Sequence, residues 1–393
     1  MSLQVDSFVL PKDQYFSLKM LVRKANQAYL PQLRAVSRYS CLLGRNAIFL
    51  SLRALNIPRG AHILVPAYIC YAAVEPILAY GAVVDFYRVG QDCMPDFSDI
   101  ERKITEETKA VLAVHYFGFP QKIQMFRVLC DRSNLALIED CAHVLQGVAD
   151  GRSMGTVGEA SIFSWRKFLP VYEGADLVVN RPGTDLGISW RREHPIANLK
   201  VALRMLDERF HQVRQPLARF MDAWLHAAKA SMSANVTSKE EKPALVDVNG
   251  TYFDPGIVDV PMSQISRWLL FHSDIALITE ARRSNYQYLL NKLSPLERVD
   301  LLYPNLSANV CPWVFPLILK GIPEAHLELR RRGIPAVTWG GVRPPEIRNS
   351  EFPEADFLYE NLVFLPVHQC LQPADLRAIV DTIRELLQRR SIR

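Results

Sequence analysis

The first segment able to carry chemistry is a glycine followed by a helix start. Gly44, Arg45 and Asn46 precede an apolar pattern with helical spacing. The first N–H groups of a helix have no partner within it, and together with the helix dipole they favour a phosphate group. A glycine before a helix is also typical of an ordinary turn, so this segment alone leaves both interpretations open.

The second segment places a carboxylate and a histidine at the end of an apolar strand pattern. Leu135–Glu139 reads as a strand, Asp140 follows it directly, and His143 comes three residues later. A carboxylate held at a strand end could pair with a cationic ring nitrogen and keep it protonated. In the plainer interpretation, Asp140 caps the next turn and His143 is a core histidine.

The third segment contains a lysine among aromatic and aliphatic residues. Lys167 lies in SIFSWRKFLP, about 27 residues after Asp140. A lysine that loses water has a lowered pKa and becomes nucleophilic toward an aldehyde, whereas a lysine that extends to solvent is the alternative. A phosphate-type turn, then a strand-end Asp, then a Lys is the order that an enzyme using pyridoxal phosphate (PLP) requires.

Strand and helix patterns alternate around these segments. Apolar runs such as His62–Val65 and Lys109–His115 are separated by helical patterns such as Tyr71–Tyr80, which Gly81 ends. The alternation predicts an α/β fold with a mostly parallel central sheet and helices on both faces. Ligands of such sheets bind beyond the carboxyl ends of the strands, where Asp140 is expected.

The chain has 393 residues, enough for two domains. We expect an N-terminal arm over 1–36 with a helical stretch around Tyr15–Ala28, and a large α/β domain over 37–245. A smaller C-terminal α/β domain is expected over 246–393, beginning with a long helix over Ser263–Lys292. Residues 198–232 read as a helical insertion (Asn198–Met232) that packs in the core or at a subunit interface. Its arginines leave peripheral membrane contact as an alternative.

Composition excludes several classes of protein. The net charge of +5 is scattered, which argues against nucleic acid as a partner. Seven cysteines form no C-x-x-C pair, so we expect a reducing, cytoplasmic compartment. Nine histidines form no close group with Cys or Asp, so no metal site is expected. No apolar run reaches the length of a transmembrane segment.

Several ordered blocks resemble the DegT/DnrJ/StrS family of PLP-dependent sugar aminotransferases. The blocks are GRNAIFLSLRALNIPRGAHILVPAYICYAAVEPILAYGAVVDFYRV, AVHYFGFP, LALIEDCAHVLQG and SIFSWRKFLPVYEGADLVV. The resemblance implies the PLP-transferase fold type I for the large domain. It is weaker but visible in MSQISRWLL and LPVHQCLQPADLRAIV near the end.

The resemblance also implies roles for matching residues. Lys167 falls on the Schiff-base lysine that also moves the proton, and Asp140 on the partner of the pyridine nitrogen. His143 falls near the phenolic oxygen of the cofactor, and His115 lies in a turn where a structural or a catalytic role is open. The cofactor-binding set implied in this way comprises Gly44, Arg45, Asn46, Cys70, Tyr71, Asp140, His143, Ser164 and Lys167.

The sequence departs from the family pattern at defined positions. Cys70 stands where the family often has an aromatic residue over the ring, with Tyr68 or Tyr71 as the nearby substitutes. Leu43-Gly44-Arg45 replaces the usual Ser-Gly-Thr of the phosphate turn, and no Asn-x-Arg is visible near Val260–Ser263. Changed contacts of this kind indicate a changed substrate.

The activity implied by the resemblance is amino transfer from an amino acid, with glutamate as the expected donor, to a nucleotide-linked keto sugar. The pathway would be surface polysaccharide or amino-sugar biosynthesis, and the assembly a homodimer. Two alternatives stay open: a PLP-dependent lyase or dehydratase on a related sugar, and a catalytically silent PLP-fold protein that binds a ligand. The dehydratase branch is disfavoured because it replaces the lysine by His, whereas Lys167 is present.

Overall fold

The computed structural model describes residues 10–11, 13–21, 37–181, 184–191, 198, 202, 253–347 and 351–389. The helix predicted over Asn198–Met232 lies outside these ranges except for residues 198 and 202, as does the later part of Tyr15–Ala28. The described part of Tyr15–Ala28 contains only a single 3₁₀ turn, Leu18–Met20. Within the described ranges, no helix has both the length and the apolar character needed to cross a membrane.

A seven-stranded sheet forms the centre of the larger part. Its strands are β1 (Ser37–Cys41), β2 (His62–Pro66), β3 (Val83–Tyr87), β4 (Thr108–Val114), β5 (Ala136–Cys141), β8 (Ala160–Ser164) and β9 (Ala175–Val179), with the small hairpin β6 (Val148–Ala149) and β7 (Arg152–Ser153) between β5 and β8. The order in the sheet is β1-β9-β8-β5-β4-β2-β3. The strands from β3 to β8 in this order are parallel, and β9 is antiparallel to both its neighbours. The predicted mostly parallel α/β sheet is confirmed.

Helices follow the strands as the apolar patterns predict. They are α1 (Gly44–Ala54), α2 (Tyr71–Tyr80), α3 (Phe97–Lys103) and α4 (Ile123–Ser133). The central strands are buried along almost their whole length, which is typical of parallel strands covered on both faces. α2 ends at Gly81, whose φ of 90° lies in the left-handed region that glycine adopts at little cost.

A second, antiparallel sheet forms the smaller part. Its strands are β10 (Val299–Leu301), β11 (Val314–Leu319) and β12 (Leu362–Pro366), paired in that order. The helices of this part are α5 (Gln264–His272), α6 (Ile275–Leu293), α7 (Ala325–Arg331), α8 (Pro353–Asn361) and α9 (Pro373–Arg389). α9 packs against α6, and α6 contacts β11.

The single long helix predicted over Ser263–Lys292 is wrong, because the chain forms α5 and α6 with a break between them. Ser273 and Asp274 lie at the break, and the side chain of Asp274 accepts a hydrogen bond of 3.0 Å from the N–H of Leu277. Asp is a preferred residue before the first turn of a helix. Apolar spacing continues through the break, which is why the pattern alone does not reveal it.

The N-terminal arm lies against the smaller part. The carbonyl of Met20 accepts a hydrogen bond of 2.7 Å from the N–H of Asp274. The Nε2 atom of His368 lies 3.1 Å from the carbonyl oxygen of Pro11, and the thiol of Cys370 lies 3.5 Å from that of Tyr15. In chain direction, the arm therefore passes the segment after β12 first and then reaches the start of α6.

Candidate active site

A cavity of about 540 Å³ lies at the carboxyl ends of β5 and β8. The carboxyl ends of parallel strands are where ligands bind in α/β sheets. The cavity wall combines strand ends, the start of α1, the N-terminal arm and the beginning of β11. Its polar and aromatic lining includes Asp13, Arg45, Asp140, His143, Ser164, Lys167 and Trp313. The three segments singled out in the sequence meet here.

Lys167 ends the single 3₁₀ turn that follows β8. Its Nζ atom lies 4.8 Å from the ring centroid of Trp313, and it donates no hydrogen bond to a residue in the described ranges. Burial lowers the pKa of Lys167 to about 8, although the nearby carboxylate of Asp140 favours the charged amine. Far more of this amine than of an ordinary lysine is therefore unprotonated near neutral pH, and the unprotonated amine is the form that attacks an aldehyde.

Asp140 lies near the end of β5, paired with Val114 on one side and Ile162 on the other. One carboxylate oxygen accepts a hydrogen bond of 2.9 Å from the N–H of Ala142. Burial raises the pKa of Asp140, and Lys167 opposes this rise without cancelling it. The positive charge near the carboxylate is thus too small to offset its burial, and a cationic group in the cavity would stabilise the ionised form.

His143 presents a neutral ring to the cavity. Its Nδ1 atom accepts a hydrogen bond of 3.2 Å from the N–H of Phe117, which assigns the ring proton to Nε2. Burial lowers the pKa of His143 well below its usual value, and Lys167 adds to the effect. The ring stacks on Trp313 with centroids 4.2 Å apart, so this histidine is rigid.

The start of α1 lies beside Ser164 in the cavity wall. The first backbone hydrogen bonds of the helix come from Asn46 and Ala47, both to the carbonyl of Leu43, which leaves the N–H groups of Gly44 and Arg45 outside the helical pattern. A Cβ added to Gly44 would lie 3.9 Å from the Cβ of Ser164. We call the helix start, the Arg45 side chain and the Ser164 hydroxyl the anion cradle, because N–H, guanidinium and O–H groups all bind phosphate oxygens.

Of the other expected site residues, Cys70 lies in the cavity wall and two lie outside it. Cys70 lines the cavity just before α2, and burial raises the pKa of its thiol. Asn46 and Tyr71 do not line the cavity: the side-chain amide of Asn46 donates a hydrogen bond of 2.7 Å to the carbonyl of Ile257. Tyr71 faces Glu346, which adds to the effect of burial in raising the pKa of the phenol.

His115 belongs to a buried hydrogen-bond cluster rather than to the cavity wall. Its Nε2 atom lies 3.0 Å from Glu139, and its Nδ1 atom accepts a hydrogen bond of 3.1 Å from the N–H of Gln121. Burial alone would raise the pKa of Glu139, but the hydrogen bonds from His115 and from backbone N–H groups outweigh it and lower the pKa. These contacts favour the structural interpretation of His115.

Within the described ranges, one group of His, Cys and carboxylate atoms lies close enough to hold a metal ion, namely His115, Glu139 and Cys141. The carboxylate of Glu139 already accepts hydrogen bonds from three backbone N–H groups besides its contact with His115. Burial also raises the pKa of the Cys141 thiol well above its usual value. The group is therefore explained as a hydrogen-bonded part of the core.

Three residues of the cavity wall, Asp13, Gln14 and Trp313, come from parts of the chain that carry no signal in the local sequence. Asp13 and Gln14 of the arm line the wall, and Gln14 donates hydrogen bonds to the carbonyls of Arg166 and Leu169 at 2.7 and 2.9 Å. Trp313 reaches the cavity from the start of β11. Tyr68 is fully buried and packs on Trp339 with centroids 5.0 Å apart, outside the cavity lining. Trp313 is thus the aromatic residue beside the lysine.

The donor set of the cavity fits PLP. An unpaired amine with a lowered pKa suits the aldehyde, and a buried carboxylate short of positive charge suits the protonated ring nitrogen. The anion cradle suits the phosphate, because its N–H, guanidinium and O–H groups all bind phosphate oxygens. The residues present therefore provide a partner for the aldehyde, for the ring nitrogen and for the phosphate of this cofactor.

Comparisons with known proteins agree with this donor set. The sequence model described as the DegT/DnrJ/EryC1/StrS aminotransferase family matches residues 24–196. The chain is 38% identical over 140 residues to GDP-perosamine synthase of Vibrio cholerae, covering 35% of this chain and 38% of that protein. It is 33% identical over 126 residues to a UDP-N-acetyl-3-dehydro-alpha-D-glucosamine 3-aminotransferase of Acidithiobacillus ferrooxidans, covering 32% and 34%. These matches span just over a third of each relative.

A solved structure extends the comparison to nearly the whole chain. The Helicobacter pylori aminotransferase PseC, which is involved in the biosynthesis of pseudoaminic acid, aligns with a TM-score of 0.66 and 16% identity. The alignment covers 98% of this chain and 100% of that one. At this identity the similarity establishes a shared fold.

Proposed function

We propose, from the match of residues 24–196 to the DegT/DnrJ/EryC1/StrS aminotransferase family, that the chain is a PLP-dependent aminotransferase acting on a nucleotide-linked keto sugar. The observation that carries the proposal is the meeting of Lys167, Asp140 and the anion cradle in one cavity. The names of two relatives, which contain a GDP-linked and a UDP-linked sugar, support the substrate class.

Each expected group of the cofactor has a residue that would hold it. Lys167 would be its covalent attachment, Asp140 would face the ring nitrogen, and the anion cradle would bind the phosphate. His143 would donate from Nε2 toward the ring oxygen, because Nδ1 is engaged by the N–H of Phe117. When bound, PLP supplies an aldehyde for amines and a pyridinium ring that withdraws electrons from a neighbouring C–H bond.

Lys167 is the residue that moves the proton. In the first half-reaction its unprotonated Nζ removes the proton from the α-carbon of the amino-acid donor. In the second half-reaction the protonated Nζ would deliver a proton to the sugar carbon that receives the amino group, which is the carbon of the former keto group. A pKa of about 8 keeps both protonation states of Lys167 accessible near neutral pH.

Asp140 and Trp313 set the conditions for that proton transfer. Asp140 stays ionised when a cation faces it, because the ion pair offsets the cost of burying the carboxylate. Its negative charge then keeps the ring nitrogen protonated. The indole of Trp313 covers Lys167 on one side and excludes water from the amine, which strengthens the electrostatic interactions of the cavity.

The proposal extends to the assembly and the division of the chain. We assign residues 37–245 to the domain that holds the cofactor and 246–393 to the smaller domain; the two separate sheets support this division. Glutamate is proposed as the amino donor and a homodimer as the assembly, to be measured by light scattering. Seven thiols without a disulfide support a reducing, cytoplasmic setting.

The test uses the full-length protein with added PLP and borohydride. Reduction is expected to attach the cofactor to Lys167, identified by peptide mass spectrometry, and the Lys167→Arg variant serves as the control. Without a sugar acceptor, glutamate is expected to yield one 2-oxoglutarate per active site. A protein that takes up no PLP contradicts the proposal. Uptake without 2-oxoglutarate favours the ligand-binding alternative, and release of a dehydrated sugar favours the lyase.

A further inference from the structure

Three side chains from distant parts of the sequence bind the backbone of the lysine turn. Gln14 comes from the N-terminal arm, Arg282 from α6, and Gln369 from the segment after β12. Together they donate hydrogen bonds to every carbonyl from Arg166 to Leu169. The bonds are Gln14 Nε2 to Arg166 O at 2.7 Å and to Leu169 O at 2.9 Å, Arg282 Nη2 to Lys167 O at 3.2 Å, and Gln369 Nε2 to Phe168 O at 2.8 Å.

Arg282 is the centre of this arrangement. Its side chain is only 1% exposed, and no carboxylate pairs with it in the described part of the chain. The guanidinium instead donates to Gln369 Oε1 at 2.9 Å, to Trp313 O at 3.0 Å and to Gln14 Oε1 at 3.4 Å. A buried charge without a counter-ion is costly, so these carbonyl and amide oxygens must stabilise it.

The contacts of Arg282 connect two residues of the cavity. The same guanidinium binds the carbonyl of Lys167 and the carbonyl of Trp313. The indole of Trp313 in turn lies over the amine of Lys167. Arg282 thereby fixes the lysine turn, which follows the central sheet, relative to the start of β11 in the second sheet.

We propose that Arg282 is a positioning residue, which with Gln14 and Gln369 holds the lysine turn so that the amine of Lys167 stays aimed into the cavity beside Trp313. The inference rests on the proposed function for its effect on turnover, and on the geometry alone for its effect on Lys167. A displacement of about 1 Å at a reacting group can cost about 100-fold in rate, so losing the guanidinium should lower turnover.

The first measurement compares two neighbouring arginines in the full-length protein. Arg282→Met removes the contacts to the lysine turn. Arg283→Met is the matched control, because Arg283 binds the carbonyls of Ser307 and Val310 instead. We expect Arg282→Met to lower kcat by about 10- to 100-fold with a KM change below about threefold, and Arg283→Met to change kcat by less than about threefold.

The second measurement follows the Lys167 amine without cofactor, by acetylation at a series of pH values and peptide mass spectrometry. Asp140, Arg166, Cys70 and His143 are titratable or charged groups that interact with this amine, and none of them is altered in the variants. In Arg282→Met the midpoint should rise by about one pH unit toward the usual lysine value, because the loosened turn exposes the amine to water.

A variant on the arm keeps the inference testable if Arg282→Met does not fold. Gln14→Ala removes two of the four carbonyl contacts and should move kcat and the acetylation midpoint in the same directions by a smaller amount. Folded variants with kcat within threefold of the parent and an unchanged midpoint would overturn the inference. If the parent binds no PLP but the midpoint still shifts, the proposed function fails and the positioning role of Arg282 stands.

Discussion

The amine of Lys167 and the carboxylate of Asp140 are both driven toward neutrality in the cavity. Burial lowers the pKa of the lysine to about 8 and raises the pKa of the aspartate, and their mutual attraction offsets only part of each shift. A cation facing Asp140 would reverse its shift. The two residues therefore suit different tasks. Lys167 readily loses its proton, whereas Asp140 would keep a facing cationic group protonated.

Replacing Asp140 by Asn tests the second of these tasks. The amide keeps the shape of the side chain but cannot stabilise a positive ring nitrogen, so kcat should fall by about 100-fold or more. Attachment of PLP to Lys167 by borohydride should persist. Asp131→Asn, on the exposed surface of α4, is the control. An Asp140→Asn variant with unchanged kcat would remove the carboxylate from the mechanism.

The pH dependence of cofactor uptake tests the lowered pKa of Lys167. Only the unprotonated amine attacks an aldehyde, and a depressed pKa means that the proton leaves at lower pH than from an ordinary lysine. The rate of PLP attachment should therefore rise with pH through a midpoint near 8. Stopped-flow absorbance measures it. A midpoint near the usual lysine value, about 10.4, would show that the amine is solvated.

At the scale of elements, two consecutive residues of β5, Glu139 and Asp140, have different roles. Because side chains alternate along a strand, Glu139 and Asp140 point to opposite faces of the sheet. Asp140 lines the cavity, while Glu139 is fully buried and accepts hydrogen bonds from Gly155, Val157 and Gly158. Glu139 thus ties down the loop that leads into β8, the strand before Lys167.

A Glu139→Gln variant should lose stability through this loop. The amide offers one acceptor oxygen and no charge, so the free energy of unfolding at pH 7 should fall by about 2–4 kcal/mol. Since folding lowers the pKa of Glu139, its contribution is present above the unfolded pKa of 4.5 and is lost as the pH falls through the folded value. The deficit should therefore shrink in acid.

Urea unfolding at pH 7 and in acid measures this deficit. Glu101→Gln, which breaks an exposed ion pair with Arg132, should cost less than about 1 kcal/mol and serves as the control. A deficit for Glu139→Gln that is equally small, or that grows in acid, would show that the charge of Glu139 does not hold the loop.

Gly118 gives a second test at this scale. Its φ is 93°, and an added Cβ would lie 2.4 Å from the carbonyl oxygen of Cys311 and 3.0 Å from that of His143. Gly118→Ala should lower the free energy of unfolding by about 2 kcal/mol or more. Gly60→Ala is the control, since φ is 79° there and nothing lies within 4 Å of an added Cβ. Its loss of unfolding free energy, about 1–2 kcal/mol, reports the backbone strain of a positive φ alone. Equal losses would exclude the steric conflict.

Local patterns were sufficient for most elements of the large domain. The prediction for α2 matches its bounds, because a helical pattern is followed by a left-handed glycine, Gly81. β1 has no comparable signal: its sequence SRYSC is polar, and its strand character comes from pairing with β9. The positions of Asp140 and Lys167 could be predicted because Asp140 lies near the carboxyl end of the apolar strand β5 and Lys167 follows the apolar strand β8. Gln14 and Trp313 could not, since only tertiary contacts bring them to the cavity.

At the scale of the molecule, the cavity is a joint product of the central sheet, the second sheet and the arm. Asp140 and Lys167 come from the first, Trp313 from the second, and Asp13 from the arm. Opening the cavity therefore disturbs contacts between distant parts of the chain. A ligand that binds there is expected to stabilise the whole fold.

PLP should raise the melting temperature of the cofactor-free protein. At a concentration 100 times its Kd, a ligand that binds only the folded state adds about 2.7 kcal/mol of stability. Differential scanning fluorimetry with PLP measures the shift, and pyridoxine, which lacks the aldehyde and the phosphate, is the control. Lys167→Ala should lose part of the shift. An identical melting temperature with and without PLP would contradict a cofactor site in this cavity.

The position of the arm has a consequence for biosynthesis of the protein. Pro11 and Gln14 emerge from the ribosome early, whereas their partners His368 and Arg282 are translated much later. The lysine turn therefore cannot acquire its full set of contacts on a nascent chain. The lysine turn is complete only when the arm, α6 and the segment after β12 have met.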